Sequence, residues 1–309
     1  MKTLRIHRYG AASEMKLEDA PIPQHGPNDV LIRVAASGVN PIDWKVRAGM
    51  LAERMPFPMP LTLGWECAGT VEAVGAEVSA FKPGDTVYSM PEFSRGGTYA
   101  EYVAIDAAQV ALMPRSLSFG VAASMPMTAL AAWTAVENAQ IQPGQRVLVH
   151  GGAGGVGSLL IQLAKAAGAH VTTTVSAQNA ALAKSLGADH IIDYQSTDFA
   201  SQAHDMNVVF DTIGGATQEA SWGTLTPGGM LLAFTQPPAP ERAASAGVRA
   251  SFVFTAPRGD ALAAIADLID AGKLKPLACH EYSLAEVAEV HERGEAAKLQ
   301  GRTVLRVSN

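Results

Sequence analysis

Cysteine is nearly absent from this chain. Cys67 and Cys279 are the only two in 309 residues, far apart and outside any C-x-x-C spacing. That excludes a disulfide framework and points to a reducing compartment. Basic runs are missing too: no lysine or arginine run exceeds a pair, and the net charge is −6. Nucleic acid and anionic membranes both demand a basic footprint, so neither is an expected partner. Every apolar run is broken by Gly, Pro or a charge well short of the roughly 18 residues a membrane span needs. The first residues, Met1-Lys2-Thr3-Leu4-Arg5-Ile6-His7, lack the apolar core of a signal peptide. A cytoplasmic protein is therefore expected. The eight histidines show no metal-ligand spacing, so no metal is expected.

What is present describes a folded chain of more than one core. Hydrophobic residues make up 48% and charged residues 17% of the sequence, and a chain of this length usually divides into two domains. The first third reads as short strands with frequent turns. Examples are Val30–Ala35, Cys67–Val74 and Phe81–Tyr88, the last opening on a Pro83-Gly84-Asp85 turn. This texture suggests a partly closed β-barrel. From Ser118 to Ala139 the residues favour helix, with Pro126 tolerated in a first turn. Strands then alternate with helices: 146–150, a helix from 157 to 167, 170–175, a helix from 179 to 186, 191–194, 207–211 and 230–234. Nearly continuous apolar strands between helices imply a parallel sheet covered on both faces. A helix from about 260 to 271, a strand near 277–282, a helix near 284–296 and a strand at 303–307 close the chain.

Gly152-Ala153-Gly154-Gly155-Val156-Gly157 fits G-x-G-x-x-G, directly after a strand and at the start of a helix. In that setting Gly152 permits a tight turn, Gly154 lets the backbone approach a pyrophosphate, and Gly157 lets helix and strand pack closely. The helix N-terminus then offers unpaired N–H groups and a positive partial charge to the phosphates. The plainer alternative is a glycine-rich connection without a ligand. The choice of dinucleotide follows from the end of the next strand. NAD sites place an Asp or Glu about 20 residues after the motif to hold the ribose 2′-hydroxyl. Here Ser176 stands at that place, and a hydroxyl can donate to a 2′-phosphate that a carboxylate would repel. NADPH is the expected cofactor, although no Arg or Lys adjoins Ser176 and Gln178 and Asn179 follow instead.

Taken in order, several segments resemble the medium-chain dehydrogenase/reductase superfamily, and within it the zinc-free quinone oxidoreductase branch that includes zeta-crystallin. They are Gly38-Val39-Asn40-Pro41-Ile42-Asp43-Trp44-Lys45, Gly64-Trp65-Glu66-Cys67-Ala68-Gly69-Thr70-Val71, Lys82-Pro83-Gly84-Asp85, the glycine motif, Leu186-Gly187-Ala188-Asp189, Phe210-Asp211-Thr212-Ile213-Gly214 and Pro227-Gly228-Gly229. The resemblance implies an α/β protein: a GroES-like β-barrel domain of residues 1–118 and 261–309, with a Rossmann domain of residues 119–260 inserted. It also implies an active site in the cleft between the domains and a homodimer. Zinc-dependent members carry a Cys where this chain has Asn40 and a His where it has Trp65, and only Glu66 and Cys67 remain nearby. A catalytic zinc needs three protein ligands. Without a Lewis acid, hydride transfer suits acceptors that are already electrophilic, so the expected substrate is a quinone or an α,β-unsaturated carbonyl. The reading from a different class is an NADPH-binding sensor or structural protein with little turnover.

The resemblance further implies individual site residues. Asn40, Asp43 and Lys45 would line the cleft near the nicotinamide. Asn40 would bond cofactor or acceptor, Asp43 either lines the cleft or caps the next helix, and Lys45 either polarises an acceptor oxygen or is merely solvated. Thr128 would meet the nicotinamide ribose or bond locally. Tyr194 would pack near the 2′-phosphate or simply end a strand. Phe234 and Thr235 end a strand at the ligand-binding edge, and Phe254 either passes the nicotinamide or belongs to a core strand. Trp44, Met50, Met55, Phe57, Met90 and Phe93 either build an apolar acceptor pocket or fill the core. Cys67 reads as a small buried hydrophobe rather than a nucleophile.

Overall fold

The computed structural model describes every residue except Gly96, Gln300 and Asn309. The chain divides into two compact units, Met1–Met127 with Ala256–Asn309, and Thr128–Thr255. No helix among the described residues is long and apolar enough to cross a membrane.

The N-terminal part of the first unit runs through β1 (Lys2–Ile6), β2 (Lys16–Asp19), β3 (Asp29–Gly38), α1 (Pro41–Arg47), β4 (Leu61–Thr62), β5 (Cys67–Val74), β6 (Thr86–Ser89), β7 (Tyr102–Asp106), β8 (Val110–Leu112) and α2 (Phe119–Ala123). β3 is its spine. It pairs antiparallel along nearly its whole length with β5, and the first half of its other edge pairs with β7. Val30, Ile32 and Val34 are buried because Val71, Val87, Val103 and Ile105 pack against the same core.

Where the sequence suggests one helix over 118–139, the structure has two, α2 and α3 (Pro126–Ala139). Pro126 has no N–H to continue α2 and disfavours a helical Met125 before it, so the chain restarts with Pro at the first helical position. The first unit therefore reaches Met127 and resumes at Ala256, whereas the sequence suggests breaks after 118 and 260. α2 packs on β3 and β5, which draws residues 119–127 into the first unit.

The second unit follows with β9 (Arg146–His150), α4 (Gly155–Ala166), β10 (His170–Val175), α5 (Ala180–Ser185), β11 (His190–Asp193), β12 (Met206–Asp211), α6 (Gly215–Ser221), β13 (Leu225–Ala233), α7 (Pro240–Ala246) and β14 (Arg249–Phe252). Its six strands lie in the order β11-β10-β9-β12-β13-β14, and every pair is parallel. Counted from β9 this is 3-2-1-4-5-6, the Rossmann order, whose direction reverses between β9 and β12. Val147, Leu148, Val149, Val209, Phe210, Leu231 and Leu232 are fully buried, as expected of strands with helices on both faces. The sequence reading has five of these strands and gives a strand near β14 only as the alternative for Phe254; β14 is short and half-exposed.

The chain then returns to the first unit with α8 (Gly259–Asp270), β15 (Cys279–Ser283), α9 (Val287–Glu295) and β16 (Arg302–Arg306). β16 pairs with β3 over Gly38–Ala36, beyond the stretch taken by β7, so the last strand of the chain sits directly beside α1. α8 starts against β8, where a Cβ on Gly259 would lie 2.5 Å from the Val110 carbonyl.

Candidate active site

Parallel strands expose their carboxyl ends together, and the expected cofactor residues of the second unit gather there. Ser176 follows β10, Tyr194 follows β11, Phe234 and Thr235 follow β13, Phe254 lies two residues past β14, and the glycine loop follows β9. Ser176 and Tyr194 come next after the paired residues Val175 and Asp193, and the Tyr194 N–H donates to the Val175 carbonyl at 3.2 Å. Two side chains with the expected 2′-phosphate roles therefore stand on neighbouring strand ends. Ser176 is buried (7% exposed), and its Oγ accepts from Asn179 Nδ2 at 3.0 Å, which leaves its own proton to donate. Tyr194 is 58% and Phe254 70% exposed, so neither belongs to a half-buried strand end or a core strand. Thr128 is buried near the start of α3.

The glycine loop differs in detail from its sequence reading. Gly152 is a central residue of the tight turn that the Gly154 N–H closes onto the Gly151 carbonyl at 2.9 Å, and the positive φ, +68°, falls on Gly151. Gly152 is required for another reason: a Cβ there would lie 2.1 Å from Thr173 Oγ1. A Cβ on Gly157 would meet the Gly151 carbonyl oxygen at 2.2 Å, whereas Gly154 has only that oxygen near it, at 3.2 Å. Gly154 is the N-cap of α4, which begins at Gly155, two residues earlier than expected, and has no side chain to fill the cap. Backbone N–H groups, a helix dipole and an uncrowded Gly154 stand together at the start of α4, the arrangement that suits an anion.

In the first unit the structure joins Asn40 to residues that the sequence left apart. Asn40 is the N-cap of α1, and its Nδ2 donates to Glu66 Oε1 at 2.6 Å. Arg302, on β16, donates from one terminal nitrogen to the same oxygen at 2.7 Å and to Asn40 Oδ1 at 3.2 Å, and from Nε to the Ser124 carbonyl at 2.9 Å. The other Glu66 oxygen accepts the Met127 N–H at 2.8 Å. Glu66 is fully buried and Arg302 nearly so. Burial pushes the Glu66 carboxyl above its ordinary value, against the pull of Arg302. Gly38 makes room for this pair, since a Cβ there would fall 2.1 Å from Glu66 Oε1. Sequence inspection missed Arg302 because 236 positions separate it from Glu66 and nothing local marks it.

Asp43, expected either in the cleft or as a cap, is fully buried. Its Oδ2 accepts the Asn40 N–H at 2.6 Å and the Tyr99 O–H at 2.9 Å. The helix starts at Pro41, earlier than the expected Trp44, so Asp43 reaches back from the first turn to the cap residue. Burial pushes its carboxyl up to about 8, against the two hydrogen bonds. Among the described residues its Oδ1 has no hydrogen-bond partner.

Raising a carboxyl this way makes the folded state hold a proton that the unfolded state, titrating near 3.9, has released. Between about pH 6.5 and 8 the stability of the wild type is therefore expected to fall with rising pH, by about 1 kcal/mol per unit. Asp43→Asn keeps both acceptor bonds and removes the titration, so urea denaturation of that variant is expected to give a flat profile over the same range. An equal slope in both proteins contradicts the assignment.

Lys45 is half-buried in the last turn of α1. Trp65, where zinc-dependent dehydrogenases carry His, is fully buried between Phe57 and Phe93, with ring centroids at 5.8 and 5.4 Å. Its indole N–H points at the Phe93 carbonyl at 3.4 Å. Phe57, Phe93 and Trp44 thus pack on the core, Met90 is buried, and Met50 is 70% exposed. Cys67 is fully buried in β5, and burial pushes its thiol up to about 12. An indole without a lone pair, an amide, a carboxylate committed to Arg302 and an un-ionised thiol do not fit a zinc ion.

Fold and site together define a two-domain dinucleotide-binding oxidoreductase. Residues 26–115 match the family model for the alcohol dehydrogenase GroES-like domain, and residues 186–305 match that for the zinc-binding dehydrogenase. A 2-methylene-furan-3-one reductase of Solanum lycopersicum is 34% identical over 99% of this chain and 79% of its own length. An NADPH-dependent alkenal/one oxidoreductase of Arabidopsis thaliana, described as chloroplastic, is 33% identical over the same shares. The quinone oxidoreductase of Coxiella burnetii superposes with a TM-score of 0.89 at 32% identity, covering 100% of this chain and 99% of that one. The chain belongs to the medium-chain dehydrogenase/reductase superfamily, and its site residues place it with the zinc-free members.

Proposed function

We propose that this protein is a zinc-independent, NADPH-dependent reductase of quinones or α,β-unsaturated carbonyls. The observation that carries the reading is the glycine cradle at the switch point of a 3-2-1-4-5-6 sheet, with Ser176 in the place of the NAD-type carboxylate. When bound there, NADPH supplies the hydride. The loop at Gly152, Ala153, Gly154, Gly155, Val156 and Gly157 holds the pyrophosphate through backbone N–H groups. Ser176 donates to the 2′-phosphate, and Tyr194 covers it from the next strand. Thr128, Phe234, Thr235 and Phe254 serve the nicotinamide half within the second unit, and Asn40 is the cofactor-binding residue of the first.

On the acceptor side the polar groups are Asn40 and Lys45. Asn40, whose amide is tied to Glu66 and Arg302, acts from a fixed geometry. Lys45 brings a positive charge for an acceptor oxygen. Asp43, enclosed under α1, contributes by holding the Asn40 backbone. A quinone or enone is already polarised along its conjugated system, which matches a donor set that does not hold zinc, and water can protonate the reduced product. The relatives' printed substrates, a furanone, alkenals and alkenones, and quinones, belong to this class. The reading extends to a cytoplasmic homodimer, with the outer strand β14 open at the edge of the Rossmann sheet and two free cysteines suited to a reducing compartment.

Ser176→Asp tests the cofactor assignment. A carboxylate beside a phosphate within a few ångströms is strongly repulsive in a partly buried site. The ratio of kcat/KM for NADPH over NADH is expected to drop at least about tenfold. An unchanged ratio would place the 2′-phosphate elsewhere.

A further inference from the structure

We propose that His150, acting through Thr174, is a positioning residue for the glycine loop and thereby sets the affinity for NADPH. The inference rests on the NADPH reading above. His150 ends β9, immediately before the turn, and is fully buried. Its Nδ1 lies 3.1 Å from Thr174 Oγ1 and its Nε2 lies 3.0 Å from Ser221 Oγ. The ring of Phe199 meets it edge-on at 4.5 Å.

Counting protons fixes the direction of every bond. Ser221 Oγ sits 2.6 Å from the Thr217 carbonyl, which can only accept, so the one hydroxyl proton of Ser221 is spent there. Ser221 must then accept from His150, and Nε2 carries the ring proton. Burial keeps the imidazole neutral, lowering it to about 4, so Nδ1 is a bare acceptor and the Thr174 hydroxyl is its donor. The Thr174 oxygen in turn accepts the Gly151 N–H at 3.3 Å. A single directed chain runs from Gly151 through Thr174, His150 and Ser221 to Thr217.

That chain grips the peptide unit between His150 and Gly151 at its N–H, while Thr212 Oγ1 donates to the carbonyl of the same unit at 2.7 Å. The next peptide unit is held as well. The Gly152 N–H donates to the Thr174 carbonyl at 3.2 Å, and the Gly151 carbonyl accepts the Gly154 N–H at 2.9 Å. The same Gly151 oxygen is the atom that forbids a side chain at Gly157. Fixing both peptides that flank Gly151 therefore fixes the cap of α4 and the N–H groups aimed at the pyrophosphate. Pre-organisation of this kind raises affinity without entering the hydride step.

Thr174→Val, which keeps the shape and removes the hydroxyl, is expected to raise the KM and the fluorescence-titrated Kd for NADPH about tenfold. The kcat at saturating NADPH should change less than twofold, and Thr174→Ser should restore affinity. Ser221→Ala serves as a second, milder variant and is expected to weaken NADPH about threefold. In nitrogen-15 spectra of histidine-labelled protein, His150 should show a protonated Nε2 and an unprotonated Nδ1. A lowered Tm with an unchanged Kd for NADPH in Thr174→Val and Ser221→Ala would reduce these residues to fold stabilisers and overturn the proposal. So would a His150 tautomer protonated at Nδ1. Absence of NADPH binding by the wild type would overturn the cofactor reading itself, and this inference with it.

Discussion

Arg302→Met is expected to destabilise the protein by about 3–5 kcal/mol. Glu66 has no exposed surface, so removing its guanidinium partner leaves a carboxylate that must be stranded as an ion or carry a proton. Either route draws on folding free energy. Arg302 also bonds Asn40 Oδ1 and the Ser124 carbonyl, so the start of α1 and the end of α2 lose a common anchor. The double variant Glu66→Met with Arg302→Met removes both charges and is expected to recover at least half of the loss, because well-packed apolar groups replace a buried pair at little net cost. Urea denaturation of the two single variants and the double variant measures this as a coupling energy. Strict additivity would mean that the pair is not a unit.

Gly157→Ala is expected to weaken NADPH binding at least about tenfold and to cost about 1–3 kcal/mol of stability. The added methyl would have to sit 2.2 Å from the Gly151 carbonyl oxygen and 2.8 Å from its carbon. Those atoms are main chain and cannot rotate away, so the loop itself must move. The backbone N–H groups of the cradle move with it, which is why affinity and stability fall together. Gly154→Ala is the contrasting case, with a nearest atom at 3.2 Å, and should be milder for the fold. Equal stabilities for Gly157→Ala and the wild type would contradict the packing described.

Much of this site is legible in the sequence, for identifiable physical reasons. Strands such as Val147–His150 and Val208–Asp211 are buried on both faces, so their apolar runs are continuous and visible, and the glycine motif is local in sequence. β14 is legible only as the alternative for Phe254, because four residues at a sheet edge carry neither signal. The turn at Gly152 is legible from the motif, whereas the positive φ at Gly151 is not, because the motif fixes where glycines stand and not which of them takes that conformation. The sequence leaves Asp43 open between a cleft and a cap. Its enclosure depends on Tyr99, 56 positions away, which no local pattern announces. The same holds for Arg302 with Glu66, and for His150, whose partners Thr174 and Ser221 lie on two other elements. Pairings between distant elements are set by topology, and topology was only partly legible.

The central claim is tested most directly by NADPH consumption, followed through the absorbance of the reduced nicotinamide, after exhaustive dialysis against a zinc chelator. One quinone, one enone and one simple ketone are offered in turn. Turnover with the quinone or the enone that exceeds turnover with the ketone and survives chelation is the predicted result. A rate with the ketone above both, a rate abolished by the chelator, or tight NADPH binding with no oxidation by any of the three would contradict it.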